Sequence, residues 1–336
     1  MQPAGRRDVV DLALQGGAVR ASEAVSRSQA LARLRIGDVA FRHLTRAAAV
    51  TVLLILSGVI LSLIVGSLPA LRQFGFGFLV SERWNPVTEN FGAIAPIYGT
   101  IVTSFIAMLI AVPVGLMIAM FLTELCPQWL RRPIGTAIEL LAGIPSIIYG
   151  IWGLFVFAPF LQDTLQPFLI AVFGEIPVLS SLFAGPPYGI GTLTAGLILA
   201  IMVLPFITSI SRDVFDAVPP VLKEAAYGLG CTTWEVVRFV VLPYTRVGVI
   251  GGIMLGLGRA LGETMAVTFV IGNTNRIATT LFGPGNTIAS IVALEFPESE
   301  AGSLKLSSLL LLGFILFVIS FIVLFISRLL LRPGKA

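Results

Sequence analysis

The sequence predicts an all-α integral membrane protein with six transmembrane helices. Three observations support this fold class: 56% of the 336 residues are hydrophobic, only 12% are charged, and the mean hydropathy is +0.96. These values lie far from those of soluble domains. A spanning helix needs about 20 mainly apolar residues, because lipid offers backbone groups no hydrogen-bond partner and a helix satisfies its own. The long apolar segments therefore favour a helical bundle.

Six apolar segments are long enough to cross a membrane. We place them at residues 47–68, 97–122, 134–160, 189–211, 247–271 and 306–327. The first follows a basic stretch, but its apolar part is longer than that of a secretory signal and no clear cleavage site follows, so we predict a retained anchor. The stretch LQPFLIAVF, inside residues 161–188, is too short to cross, and we predict an interfacial or re-entrant piece.

Basic residues predict the orientation of the bundle. Residues 1–46 form a basic leader, residues 47–68 the first transmembrane helix and residues 69–96 an outer loop. With the leader in the cytoplasm, most of the 22 Lys and Arg residues fall on the cytoplasmic side, where short loops retain them. Both chain termini are then cytoplasmic. Cys126 and Cys231 lie on the same side, where thiols stay reduced.

The loop at residues 212–246, between the fourth and fifth segments, is the longest predicted cytoplasmic connection. A helix-forming run follows Pro220, and Gly230 ends it. Thr232 can cap a second short helix that stops before Pro243. We therefore predict two short helices joined at a glycine, which together form a knob with apolar and charged side chains.

This loop resembles the EAA loop of the permeases of ATP-binding cassette (ABC) importers. Glu224, Ala225 and Ala226 are followed after three residues by Gly230, and after nine more by the run Val240-Val241-Leu242-Pro243. The family pattern usually has isoleucine at the position of Val240. The match in residue type and spacing covers the whole loop.

Four further segments are similar to the PstC family, the permease subunits of phosphate-specific ABC importers. These segments are AGIPSIIYGIWGLF, LAIMVLPFITSISRDVFDAVP, GRALGETMAVTFVIGN and PGNTIASIVALEF, and the resemblance covers roughly residues 75–330. It implies a type I importer fold with a permease core at residues 95–330, which includes the loop at residues 212–246. The leader lies outside the resemblance.

The resemblance also implies a division of labour between subunits in the cytoplasmic membrane of a prokaryote. The partners would be a homologous permease of the PstA type, two ATPases of the PstB type and an outer phosphate-binding protein of the PstS type. The ATPases would bind ATP and Mg, so we expect no cofactor and no catalysis in this chain. ATPase coupling would fall to Glu224 as polar anchor, Gly230 as bend, and Ala225, Ala226 and Pro243 around them.

Two features of the sequence agree with this division independently. No GxxxxGK[ST] motif occurs, so the chain has no P-loop of its own. The single histidine, His43, lies in the leader, which argues against a histidine metal centre or proton relay within the membrane. An intramembrane enzyme is disfavoured for the same reason.

The fifth segment combines small residues with two charges. Gly248, Gly252, Gly256 and Ala260 recur every four residues, which predicts close contact with a neighbouring helix. A helix entering at residue 247 would place Arg259 about 18 Å along its axis, close to the bilayer midplane. Because four residues separate them, Arg259 and Glu263 should lie on one helical face, within reach of each other.

Two hypotheses explain these charges. In the first, Arg259 and Glu263 neutralise each other and lock the helix against its neighbours. In the second, which we favour, they line a substrate pathway together with Thr264. The guanidinium of Arg259 would then bind an oxyanion, and Glu263 would accept a hydrogen bond from the proton of hydrogen phosphate and prevent overly tight binding.

The expected function is a permease subunit that moves inorganic phosphate from an outer binding protein into the cytoplasm. Two alternatives remain open from the sequence. The substrate could be another oxyanion, such as sulfate, molybdate or phosphonate, because one arginine does not distinguish them. Alternatively, the chain could be an ATP-independent secondary transporter or channel, for which the EAA loop would have no purpose.

Overall fold

The computed structural model describes residues 5–330, with side chains described at residues 38–176 and 180–329. Within these ranges, six helices are long and apolar enough to cross a membrane, which confirms the predicted number. Between residues 5 and 330, the only β-type pairing is an isolated bridge between Asn85 and Asn90. The chain divides into two units between residues 62 and 63, and the first helix belongs to both.

Fifteen helices are present in the described part of the chain. They are α1 (Gly5–Phe74), α2 (Gly77–Val80), α3 (Ile94–Met120), α4 (Gln128–Ala142), α5 (Ser146–Trp152), α6 (Ala158–Phe160), α7 (Gln166–Phe173), α8 (Pro177–Leu182), α9 (Thr192–Asp216), α10 (Pro220–Gly228), α11 (Thr233–Val236), α12 (Leu242–Leu261), α13 (Met265–Val270), α14 (Ile288–Glu295) and α15 (Leu304–Leu330).

Short π-helical turns join several of these helices into longer continuous ones. The turns are Phe121–Leu125 after α3, Gly153–Phe157 and Leu161–Leu165 on either side of α6, and Val237–Val241 between α11 and α12. The six spans are therefore Asp38–Phe74, Ile94–Leu125, Ser146–Phe173, Thr192–Asp216, Thr233–Leu261 and Leu304–Leu329. The first helix begins at Gly5, so no helix end separates the predicted leader from the first predicted transmembrane helix.

The predicted position of the third span is wrong. We predicted residues 134–160, but α4 ends at Ala142 and the span runs from Ser146 to Phe173. Pro145 directly precedes α5, where its missing N–H leaves no helical hydrogen bond unmade. The apolar stretch LQPFLIAVF is consequently the last part of the third span and not a separate interfacial piece.

The fifth span is also displaced from its prediction, towards the N-terminus. It runs from Thr233 to Leu261, and α13 follows as a separate short helix after a break at residues 262–264. We had predicted that the helix stops before Pro243, but it continues through this residue. A π-helical turn ends at Val241, two residues before the proline, and such local widening accommodates a residue that lacks an N–H and carries a bulky ring.

Helix α9 lies at the centre of the core. It is the most buried of the six spans: 61% of its most apolar stretch is buried inside the molecule. Its buried side chains include Ile198, Leu199, Val203 and Ile207, and it packs against α3, α4, α12 and α13. The other spans place more of their apolar surface outward, which suits contact with lipid or with another subunit.

The small residues of α12 allow it to approach α9 closely. A Cβ atom would lie 2.6 Å from a methyl group of Val214 if built at Gly248, 2.8 Å from Ile210 at Gly252, and 2.9 Å from Ile207 at Gly256. Real Cβ atoms essentially never approach so closely, so a side chain at any of these positions would force neighbouring atoms of α9 to shift. The predicted close helix contact is confirmed, and α9 is the neighbour.

The substitution Gly252→Val should destabilise the protein, whereas Gly251→Val should not. A valine at residue 252 would collide with Ile210, and overpacking of this kind costs about 1–3 kcal/mol. A Cβ at Gly251 meets no atom within 4 Å in the described part of the chain. Thermal unfolding of both variants in the same detergent tests this difference. Equal melting temperatures would contradict the proposed packing of α12 on α9.

Candidate functional site

The loop between the fourth and fifth spans consists of α10 and a glycine-containing turn. Pro220 is the first residue of α10, where proline is tolerated, and the helix ends at Gly228. Gly230 has φ +88°, a conformation that side chains rarely adopt. A Cβ at Gly230 would meet nothing within 4 Å, so backbone conformation, and not space, requires glycine here. The predicted bend therefore lies at Gly230.

The turn ends in a capping box that begins the fifth span. The hydroxyl of Thr232 accepts a hydrogen bond from the Glu235 backbone N–H at 3.4 Å, and the Glu235 carboxylate accepts one from the Thr232 N–H at 2.7 Å. This pairing satisfies two backbone donors at the start of the helix. Because α11 continues into α12, the second helix of the predicted knob is in fact the start of the fifth span.

One face of α10 and the following turn is exposed and partly apolar. Glu224 and Ala225 point outward, whereas Ala226 is buried against Phe215 and Val236. We define the loop surface as Glu224 with the exposed side chains Val221, Leu222, Tyr227, Leu229 and Trp234. Pro243 is also exposed but lies further along, in α12. Contiguous exposed apolar side chains around a charge are typical of a protein-binding surface.

An ion pair joins α10 to the end of the second span. The ammonium of Lys223 lies 2.5 Å from the carboxylate of Glu124, whose side chain is only 6% exposed. Glu124 belongs to the π-helical turn that follows α3. Sequence reasoning missed this pair. A carboxylate at the end of a long apolar helix, in the run FLTEL, is the signal that could have indicated it.

A second group of ion pairs joins α4 to the end of α9. Arg212 contacts Glu139 at 2.6 Å and Asp213 at 3.2 Å, and Arg131 pairs with Asp216. The Arg212 guanidinium lies across Gly135, where a Cβ would approach it to 2.6 Å. These contacts hold α4 beside the residues that lead into α10.

The structure separates the charged residues that we had placed on one helical face. Arg259 lies in the last turn of α12 and is exposed, and Glu263 follows the end of that helix at Leu261. No ion pair within 4 Å joins their side chains. The spacing argument is wrong because it assumed that the helix continues through Glu263. The hypothesis of a lock that neutralises itself is therefore not supported.

Glu263 and Thr264 instead belong to the start of α13. The Glu263 carboxylate accepts a hydrogen bond from the Ala266 backbone N–H at 3.2 Å. Thr264 directly precedes α13, and its hydroxyl donates to the Gly262 carbonyl at 3.3 Å. Among residues 38–176 and 180–329, Arg259 has no hydrogen-bond or ion-pair partner. Its guanidinium is thus free to bind an anion or another chain.

Comparison with known proteins places this geometry in a family. Residues 111–333 match the family described as binding-protein-dependent transport system inner membrane component. The phosphate transport system permease protein PstC of Mesorhizobium japonicum is 66% identical over 90% of this chain and 92% of its own length. The protein of the same name from Pasteurella multocida is 60% identical over 88% of this chain and 91% of its own length.

A solved structure shares the fold. A chain from the crystal structure of a bacterial alginate ABC transporter, in complex with an alginate pentasaccharide-bound periplasmic protein, matches with a TM-score of 0.54. The match covers 84% of this chain and 94% of that chain at 16% sequence identity, so it concerns the fold alone. With six spans, the architecture is that of type I ABC importer permeases. The chain belongs to the family of binding-protein-dependent transport system inner membrane components.

Proposed function

We propose that this chain is a permease subunit of an ATP-driven importer that moves inorganic phosphate across the cytoplasmic membrane. The observation that carries the proposal is the high identity, along about nine tenths of the chain, to permease proteins of phosphate transport systems. Two features of the structure support the proposal. The outward-facing loop surface would bind an ATPase subunit, and the unpartnered Arg259 would bind an oxyanion.

The proposed partner subunits follow from the similarity to permeases of phosphate transport systems. Since the sequence has no P-loop, ATP and Mg would be bound by two partner ATPases of the PstB type. A second permease of the PstA type would complete the pathway, and an outer binding protein of the PstS type would deliver phosphate. In this arrangement both termini and the loop surface are cytoplasmic, which agrees with the distribution of Lys and Arg.

Coupling would begin at the loop surface. Glu224 and Ala225 would contact an ATPase, while buried Ala226 holds α10 against its own bundle. The Lys223–Glu124 pair would link α10 to the end of the second span, so that displacement of α10 would be passed to that span. Gly230 would preserve the turn through which α10 connects to the fifth span.

The pathway would pass the break between α12 and α13. Arg259 offers planar donors and a permanent positive charge, which suit a phosphate oxyanion. Glu263 and Thr264 lie within the same short break, where the backbone has left the helix. The carboxylate of Glu263 would weaken retention of the anion, because a carrier must release what it binds.

The substitution Glu224→Lys should weaken association with the ATPase by about ten-fold or more, since each 1.4 kcal/mol is a factor of ten. It reverses an exposed charge at the centre of the loop surface without touching the core. Glu298→Lys, on an exposed carboxylate at the other end of the bundle, is the matched control. Co-purification and phosphate uptake measure the effect. Intact association in a normally assembled Glu224→Lys complex would refute the role of this surface.

The substitution Arg259→Gln should reduce phosphate uptake by about ten- to a hundred-fold, because a hydrogen bond to a charged group contributes roughly 1.5–3 kcal/mol. The melting temperature should not change, since the exposed side chain has no partner in the described part of the chain. The measurement is uptake of labelled phosphate by complexes reconstituted in vesicles, with excess sulfate as competitor. Competition by sulfate would indicate another oxyanion as substrate, and uptake without ATPase subunits would indicate a secondary transporter.

Breaking the Lys223–Glu124 pair should separate ATP hydrolysis from uptake. In Glu124→Gln or Lys223→Met, α10 loses its link to the second span, so the ATPases would bind and hydrolyse ATP while phosphate taken up per ATP falls. The double exchange Glu124→Lys with Lys223→Glu restores opposite charges and should recover part of the ratio. A double exchange no better than the single variants, or single variants with an unchanged ratio, would show that the pair does not transmit motion.

A further inference from the structure

A polar cleft of about 630 Å³ lies at the end of the bundle opposite the loop surface. It is formed by the segment between α2 and α3 and the segment between α13 and α14. Helix α3 with its π-helical turn separates the two ends. It begins near the cleft at Ile94 and ends at Leu125 beside Lys223, about 45 Å away at 1.5 Å per residue.

Hydrogen bonds hold the two segments of the cleft together. The Glu82 carboxylate accepts a bond from the Ile277 backbone N–H at 2.8 Å, which joins one segment to the other. The backbone bridge between Asn85 and Asn90 closes a turn within the first segment, with N···O distances of 2.8 and 3.1 Å. The walls of the cleft are therefore built by defined contacts.

The side-chain amide of Asn85, a residue that lines the cleft, has its nitrogen free to donate. Its carbonyl oxygen accepts hydrogen bonds from the backbone N–H groups of Val87 at 2.9 Å and Thr88 at 3.4 Å. Backbone N–H groups can only donate, so they determine which end of the amide is oxygen. The nitrogen of Asn85, which lines the cleft, is left to donate elsewhere.

A chain of hydrogen bonds orients Asn275 in the same way. The carbonyl oxygen of Asn286 accepts from the Thr287 N–H at 3.0 Å and from the Ser290 hydroxyl, so its nitrogen must act as a donor. That nitrogen donates to the carbonyl oxygen of Asn275 at 2.7 Å. The nitrogen of Asn275, also at the cleft, therefore remains available as a donor.

The charges of the cleft add two guanidinium groups to these amides. Arg83 and Arg276 line it, are exposed, and form no ion pair with any residue whose side chain the structure describes. Glu82 is the carboxylate among the lining residues, and one of its oxygens is taken by Ile277. The cleft thus has a net positive charge and an excess of donors.

A nearby carboxylate is already neutralised. Glu295 accepts a hydrogen bond from the indole N–H of Trp84 at 3.1 Å and pairs with Lys305 at 2.8 Å. Trp84 also lines the cleft, so this contact anchors one wall. Consequently Glu295 does not compete for the arginines.

We propose that this cleft is a binding site for a tetrahedral oxyanion, formed by Arg83, Arg276 and the amide nitrogens of Asn85 and Asn275. Amide and guanidinium donors lining a concave site match an anion whose oxygens accept from several directions. Their exposure keeps binding weak and exchange fast. The assignment of this anion as phosphate entering the pathway rests on the proposed function. The site is separate from Arg259, which lies at the end of α12.

The experiment is ³¹P NMR of inorganic phosphate added to the complete complex in nanodiscs, without the binding protein. We expect the complex to broaden the phosphate line, sulfate to reverse the broadening, and chloride at equal ionic strength to leave it. Arg83→Gln with Arg276→Gln should reduce the broadening several-fold. Asn275→Asp should do the same, because aspartate keeps the bond from Asn286 but replaces the free donor with an acceptor.

One control variant and two contrary outcomes test the assignment to the cleft. Arg72→Gln neutralises an arginine in the last turn of α1 that has no role in the proposed sites, and it should retain the wild-type broadening. Broadening that survives the cleft variants but is lost in Arg259→Gln would overturn the proposal. A second result would also overturn it. In that result the cleft variants broaden the phosphate line as much as the wild-type complex does, and they only raise the concentration of binding protein needed for uptake. The cleft would then bind an acidic protein surface.

Uptake by wild-type vesicles distinguishes this proposal from the proposed function. Phosphate uptake with no broadening would refute the cleft site and leave the importer intact. Broadening by phosphate and sulfate in a complex that transports no phosphate would support the cleft site and refute phosphate as the substrate.

Discussion

The close contact of α9 with α3 and α12 is the constraint on which the rest of the structure depends. Lipid provides no hydrophobic force between helices, so their association relies on close van der Waals packing. Glycines make this possible on both sides of α9: Gly196 faces Ile106 of α3, and Gly252 and Gly256 face Ile210 and Ile207. A short turn joins α9 to α10, so the loop surface is attached directly to the best-packed helix.

Local chemistry made the number of spans and several details predictable. Three features can be predicted from residues that are close in sequence. They are the long apolar runs, the repeated small residues of α12 and the turn at Gly230. The same reasoning predicted the wrong helix boundary at two prolines. Pro145 begins a helix that we had extended through it, and Pro243 continues a helix that we had ended before it. Hydropathy does not distinguish these two prolines, because the difference between them depends on the hydrogen bonds around each one.

The ion pairs near the loop surface could not be predicted from the sequence, for a different reason. Lys223 and Glu124 are 99 residues apart, and Arg212 and Glu139 are 73 apart, so no spacing rule connects them. The loop residues were identified individually, but their burial was not: Ala225 faces outward and Ala226 inward. The supposed pair of Arg259 and Glu263 failed because four-residue spacing implies contact only within an unbroken helix, and α12 ends between them.

The exposure of Arg259 bears on how the pathway is built. A charged side chain facing lipid costs up to roughly 2.5–3.5 kcal/mol at the centre of a spanning helix and less towards its end, where Arg259 lies, unless water or an opposite charge offsets it. The described part of this chain offers no such partner, and Leu255, one turn earlier on the same face, is 56% exposed. The opposite face of α12 is occupied by α9. Compensation for the charge of Arg259 must therefore come from outside the described part of this chain.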